Sequence, residues 1–268
     1  MTEAAARREK PEYDNWITKS LPVAAGAVTA VLALGAALVL CLTPLWWLGG
    51  LLGALAAFFC AFTIYMGCAR RALSYDGGMV QSKVLDGVIG YLALLDWDGR
   101  GRLLDLGCGG GAMSVKLAKK YPQAQVTGMD YWGPGWEFSQ ALCENNARLE
   151  QVSDRVAFEQ GDAAQMEYPD GTFDAAVSNF VFHEVRSQPD KHALVLEALR
   201  VVKPGGAFVF EDIFYAKSHY GDIARFVDAL RPYVRDIHFA DMRRPPYAPA
   251  FLRTPLVLGQ MGLVYGIK

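Results

Sequence analysis

The sequence predicts an α/β domain built on a mostly parallel sheet, preceded by a two-helix membrane hairpin. Three observations predict it. Residues 21–69 contain no Lys, Arg, Asp, Glu or His, strand-like and helix-like apolar patterns alternate after Arg71, and a glycine-rich loop follows a buried apolar strand. Composition agrees, with 52% hydrophobic and only 20% charged residues, against roughly 25% charged in an average soluble domain. The excess apolarity is local to the charge-free stretch, and the rest of the chain mixes charged and apolar residues as a globular domain does.

A helix crosses the roughly 30 Å hydrocarbon core in about 20 residues, so the charge-free stretch is long enough for two passes. Leu21–Leu42 and Leu45–Gly67 are the expected spans, joined by a short turn at Thr43-Pro44. Trp46 and Trp47 stand where interfacial aromatic anchors belong. Arg7, Arg8, Lys10 and Lys19 precede the spans, Arg70 and Arg71 follow them, and the turn is uncharged, so both ends are expected on the cytoplasmic side. Gly26, Ala30, Ala33 and Ala37 are expected on one face of the first helix, and Gly49, Gly53 and Ala57 on one face of the second, allowing close approach. A secretory signal peptide explains the first apolar run but not the second. A re-entrant hairpin within one leaflet is the open alternative. The expected organisation is a cytoplasmic tail (1–20), the hairpin (21–69), a linker with a cofactor-covering helix (70–100) and the α/β domain (101–268). Tyr75, Asp76, Gly77 and Gly78 lead from the hairpin toward that helix.

The formal net charge of −2 and the lack of a basic stripe with interleaved aromatics argue against a nucleic-acid partner. Five cysteines, Cys41, Cys60, Cys68, Cys108 and Cys143, form no Cys-x-x-Cys pair and include three in the apolar stretch. Neither a disulfide framework nor a metal site is expected from them. Cys108, in the glycine loop, reads as a small residue beside a ligand.

The run Arg102 to Gly111 reads as a buried strand entering a loop with glycines at 107, 109, 110 and 111, followed by a helix over Ala112–Lys120. Glycine lets the backbone turn sharply and approach a ligand closely. A dinucleotide fingerprint has a similar spacing, but Asp105 stands two residues before the first glycine. This Asp-x-Gly-x-Gly-x-Gly run resembles the first motif of the class I S-adenosylmethionine-dependent methyltransferase family, small-molecule type. The resemblance runs from about Tyr75 to the C-terminus. It implies a Rossmann-like sheet of seven strands, the last antiparallel, and S-adenosyl-L-methionine as cofactor.

Val126–Asp130 reads as a strand ending in an acid about 20 residues beyond the loop, the spacing at which a carboxylate meets a ribose diol. By resemblance, Asp105, Gly107, Gly109 and Gly111 hold the cofactor, Asp130 takes its ribose, and Tyr131 or Trp132 covers the adenine face. Asp162 and Ala163, in the Gln160-Gly161-Asp162-Ala163 run after the strand Val156–Glu159, meet the adenine edge. The strand Phe173–Asn179 places Asn179 at the ligand crevice. A helix with Val195, Ala198, Leu199 and Val202 on one stripe precedes Lys203-Pro204-Gly205-Gly206 and the strand Ala207–Glu211. Ile223–Leu230 reads as a further helix, and Ile237–Met242 and Leu263–Ile267 as the last strands.

A sulfonium methyl is already activated, so the chain must align an acceptor and exclude water, with no metal needed. His183, just beyond the fourth strand, is the first candidate base, and Glu211 the second, with Asp212 beside it. The expected activity is methyl transfer to a small or lipophilic acceptor at the membrane surface. A spermidine-synthase-like use of the fold would want an acidic polyamine site after the fourth strand, which Ser178-Asn179-Phe180 does not offer. A non-catalytic cofactor sensor or membrane scaffold is the alternative of another class.

Overall fold

A computed structural model describes residues 10–13, 15–133 and 138–268. Arg7 and Arg8 lie outside the described residues. The described residues divide into two compact units, one spanning Asn15–Gln81, the other comprising residues 10–13 and Ser82–Lys268.

The first unit holds α1 (Ser20–Leu42) and α2 (Trp46–Leu73), slightly longer than the expected spans because a helix continues until its backbone finds a stop. Thr43 ends α1 by donating its hydroxyl to the Val39 carbonyl at 2.8 Å and accepting from the Leu45 amide at 3.2 Å. The helices meet along Ala25, Thr29 and Ala36 on α1 and Gly49, Ala56 and Met66 on α2, where a Cβ on Gly49 would come within 2.5 Å of Leu40. The expected small-residue faces need correction. Gly26 and Gly49 face the partner helix, but Ala30, Ala33, Ala37 and Ala57 point outward. On α1 the contact runs one position earlier, along Ala25, Thr29, Leu32 and Ala36, which are spaced to share one helical face. Asn15, buried, donates to the Arg70 carbonyl at 2.7 Å, while Arg70 donates to the Ile17 carbonyl. Tyr75–Gly78 form a turn.

The second unit begins, within its helical part, at α3 (Val80–Leu92), whose first two residues belong to the first. There follow β1 (Arg100–Leu106), α4 (Ala112–Lys120), β2 (Gln123–Asp130), α5 (Gln140–Leu149), β3 (Val156–Gln160), β4 (Phe173–Asn179), α6 (Lys191–Arg200), β5 (Val202–Asp212), α7 (Lys217–Tyr220), α8 (Ile223–Leu230), β6 (Asp236–Asp241) and β7 (Gly262–Ile267). The seven strands lie in the order β3-β2-β1-β4-β5-β7-β6. All neighbours are parallel except β7, which runs antiparallel to both β5 and β6. The strand order reverses between β1 and β4, the switch point at which open α/β sheets bind ligands beyond the C-terminal strand ends.

One face of the sheet carries Leu104, Leu106, Phe208 and Phe210 into a core shared with Leu194, Ala198, Phe226 and Leu230 of α6 and α8. On the other face the register aligns Asp105 with Val177 and Val177 with Val209, and then Asn179 with Glu211 and Glu211 with Leu263. Tyr91 of α3 packs against Tyr265 there, ring centroids 4.8 Å apart and planes inclined at 57°. Residues 10–13 rejoin this unit. The Glu12 amide donates to Asn146 Oδ1 at 2.9 Å, Asn146 Nδ2 donates back to the Glu12 carbonyl at 2.8 Å, and the Tyr13 hydroxyl donates to Glu150 at 3.2 Å.

Candidate active site

The loop between β1 and α4 turns through left-handed backbone at Gly107, Gly109 and Gly111, with φ of 73°, 55° and 80°. At Gly107 the turn also has no room, because an added Cβ would lie 2.0 Å from Val181 Cγ2. The Gly107 and Cys108 amides donate to the Met129 carbonyl at 2.7 and 3.1 Å, tying the loop to the end of β2.

Asp130 closes the loop from the β2 side. One of its oxygens accepts from the Gly109 amide at 2.8 Å and the other from the Trp132 amide, also at 2.8 Å. A carboxylate offers about four acceptor positions, so two stay open for a diol. Trp132, left-handed at φ 44°, donates its indole N–H to the Gly109 carbonyl at 3.0 Å, and Tyr131 is exposed. Asp162 Oδ1 caps its own turn, accepting from the Ala164 amide at 2.8 Å and the Ser187 hydroxyl at 3.1 Å, with Ala163 buried beside it.

Asp105 does not open to the crevice. It is buried and accepts from the Ser114 hydroxyl of α4 at 2.5 Å. Burial pushes its carboxyl up to about 7, the Asp130 charge adds to this, and the Ser114 hydrogen bond opposes it. It therefore fixes the strand-to-helix turn on which the glycines are mounted.

Three residues on α5 or just before it, whose part in the site the sequence pattern left unread, hold the loop. Asn146, fully buried, donates to the Gly110 carbonyl at 2.9 Å, and the Cys143 thiol donates to the Gly109 carbonyl at 3.0 Å. The Phe138 ring stands 3.5 Å from where a Gly109 Cβ would be. Burial, a hydrogen bond with Cys143 and the nearby carboxylates hold the Cys108 thiol well above its ordinary range, so it is no thiolate nucleophile.

Beyond β4 the backbone turns left-handed at Phe180, φ 57°, and brings His183 over the end of β5. His183 Nδ1 lies 2.6 Å from Asp212 Oδ1, and Nε2 lies 3.4 Å from Glu184. Burial disfavours the charged imidazole, but the Asp212 carboxylate outweighs it, Glu184 adds to this, and together they push His183 up to about 10. At neutral pH this ring is an imidazolium with both nitrogens engaged. Glu211 has neither. Its side chain is fully buried, and neither oxygen has a hydrogen-bond partner among the described residues. Burial, with the adjacent Asp212 charge, holds its carboxyl protonated, well above the ordinary carboxylate range.

Glycine loop, paired acid at the next strand and a seven-stranded sheet with its last strand antiparallel define a class I methyltransferase domain. Residues 104–210 match the family model described as a methyltransferase domain. Among curated proteins, it is 31% identical over 143 residues to 27-O-demethylrifamycin SV methyltransferase of Amycolatopsis mediterranei, covering 52% of this chain and 47% of that one. It is 34% identical over 108 residues to demethylmenaquinone methyltransferase of Lactiplantibacillus plantarum, covering 40% and 43%. The chain thus matches less than half the length of these relatives. The geranyl diphosphate C-methyltransferase structure from Streptomyces coelicolor shares the fold, with a TM-score of 0.55 at 15% identity over 72% of this chain and 80% of that one.

Proposed function

We propose that the protein is an S-adenosylmethionine-dependent methyltransferase acting on a small, lipophilic acceptor at a membrane surface. The observation that carries the activity is the pairing of a left-handed glycine loop with Asp130 at the strand-order switch. The loop turns through left-handed backbone that glycine adopts without a Cβ penalty, and Asp130 keeps acceptor capacity for a vicinal diol. Gly107, Gly109 and Gly111 would accept the cofactor's close approach, Asp130 its ribose, Tyr131 or Trp132 its adenine face, and Asp162 with Ala163 its adenine edge. Asn179, at the end of β4, would border the transferring group. When bound, the cofactor supplies a methyl group already activated for attack.

The cationic His183 suits a role other than base. Fixed through Nδ1 by Asp212, it would donate its Nε2–H to an acceptor that takes the place of Glu184, 3.4 Å away, and an acceptor that loses its proton easily needs no base in the protein.

Two findings support the membrane reading. α1 and α2 are long and apolar enough to cross a bilayer, and only 11% of the apolar window in each is buried. A core helix of a soluble protein would hide such a surface. The named relatives act, by their names, on a 27-O-demethylrifamycin and a demethylmenaquinone, and a lipid-dissolved acceptor would concentrate where such helices lie. Incubating the full-length protein and membrane extract with cofactor bearing a deuterated methyl group, followed by untargeted mass spectrometry, tests the activity. A labelled lipophilic product is expected. Tight cofactor binding with no product across broad extracts would instead favour a sensor or scaffold.

A further inference from the structure

Glu211 is an unusual residue to leave at the end of a central strand. Both its oxygens are inaccessible and unpartnered, although an unsatisfied buried polar group typically costs about 1–3 kcal/mol. Two neighbours share the condition. Asn179, its register partner on β4 and on the same sheet face, has a buried Oδ1 with no partner, and so has the hydroxyl of Tyr247. Tyr247 lies in the β6–β7 connection near α3, its hydroxyl 4.0 Å from where a Gly87 Cβ would stand, and burial, with Glu211 close by, raises its phenol. This face also carries Asp105, whose strand leads into the glycine loop. Hence a donor-capable carboxylic acid, an amide oxygen and a phenol converge beside the proposed methyl donor with nothing to bond to.

We propose that Glu211, Asn179 and Tyr247 form the subsite that receives an uncharged oxygen function of the methyl acceptor, a phenol or enol hydroxyl or a carbonyl. The proposal rests on the methyltransferase reading and adds the chemical class of its acceptor. The protonated Glu211 donates, the Asn179 oxygen accepts, and the Tyr247 hydroxyl does either, a set that complements a hydroxyl. An ammonium group fits badly, because pairing with it would require Glu211 to ionise beside Asp212 in a buried place.

Difference infrared spectroscopy on the full-length protein in detergent, saturated with S-adenosylhomocysteine, tests this without turnover. Subtracting the Glu211→Gln spectrum isolates the carbonyl stretch of a protonated Glu211. That band is expected at neutral pH, and it is expected to shift when para-butylphenol is added but not when butylamine is added. Tyr247→Phe should weaken phenol binding about tenfold, the loss of one hydrogen bond of about 1.4 kcal/mol. If Glu211→Gln does not fold, the wild-type band and the Tyr247→Phe affinity carry the test. Absence of the band, a band that saturating phenol leaves unmoved, or a response to the amine alone would overturn the assignment. Failure of the underlying reading shows separately, as an absence of S-adenosylhomocysteine binding by calorimetry.

Discussion

Gly107 and Gly205 both adopt left-handed backbone, at φ 73° and 81°, but their surroundings differ. A Cβ at 107 would strike Val181, whereas at 205 nothing lies within 4 Å. Gly205→Ala is therefore expected to cost only the backbone strain, about 1 kcal/mol. Gly107→Ala adds an overpacking penalty, for about 2–5 kcal/mol in all, together with a loss of S-adenosylhomocysteine affinity. Denaturant melts and calorimetry on both variants check the contrast. Asp105 offers a pH-dependent counterpart. Its folded carboxyl titrates at about 7, above the unfolded value near 4. The folded state thus holds the extra proton between these values, and its contribution is full below the unfolded value and lost as pH rises through about 7. Asp105→Asn, which keeps an acceptor for Ser114, should raise Tm relative to wild type at about pH 8 and much less at about pH 5. The acid was legible in the sequence as part of the loop motif. Its inward direction was not, because that follows from the Ser114 hydroxyl one helix turn along.

At the scale of elements, the sequence patterns were read well where one face is apolar. α4, β4 and α8 have the expected limits, since each presents an uninterrupted apolar stripe or strand bounded by turn residues. β5 begins earlier than expected, at Val202, because the Lys203-Pro204-Gly205-Gly206 turn already belongs to the strand, with a register irregularity between Phe173 and Ala175 on its neighbour. α5 left no pattern, because its buried face is Cys143, Asn146 and Ala147, and a polar residue in that stripe breaks the periodicity by which a helix is recognised. That same Asn146 bonds to Gly110 and Glu12. Asn146→Ala would leave the Gly110 carbonyl and both Glu12 backbone groups unpaired, at about 2–4 kcal/mol. Urea unfolding should show the loss, and hydrogen exchange should show faster exchange of the Glu12 amide.

For the whole molecule, composition alone separated the charge-free hairpin from the rest, since residues 21–69 carry no charge while the remainder mixes charged and apolar residues. It did not show that residues 10–13 belong with the α/β unit, a matter of two backbone hydrogen bonds with Asn146. This sets how a soluble form should be made. Full-length protein is expected to stay in the pellet after an alkaline carbonate wash, and release by the wash would count against an integral hairpin. Deleting residues 1–69 should solubilise it but removes Glu12 and Tyr13. Excising residues 15–81 instead and joining the ends with a flexible linker should give a form with higher Tm by scanning calorimetry.

The clasp of Glu12 by Asn146 also has a consequence for topology. A chain that departs from one folded unit and rejoins that same unit must cross any intervening barrier an even number of times. The apolar insert therefore behaves as a closed excursion: two full crossings or a re-entrant loop satisfy the connection, whereas a single crossing would pull the clasp apart. Cysteines placed at the Thr43-Pro44 turn and at Lys10 would report this through impermeant thiol reagents. Labelling of Lys10→Cys from the same side as the catalytic unit is the outcome that the closed excursion requires.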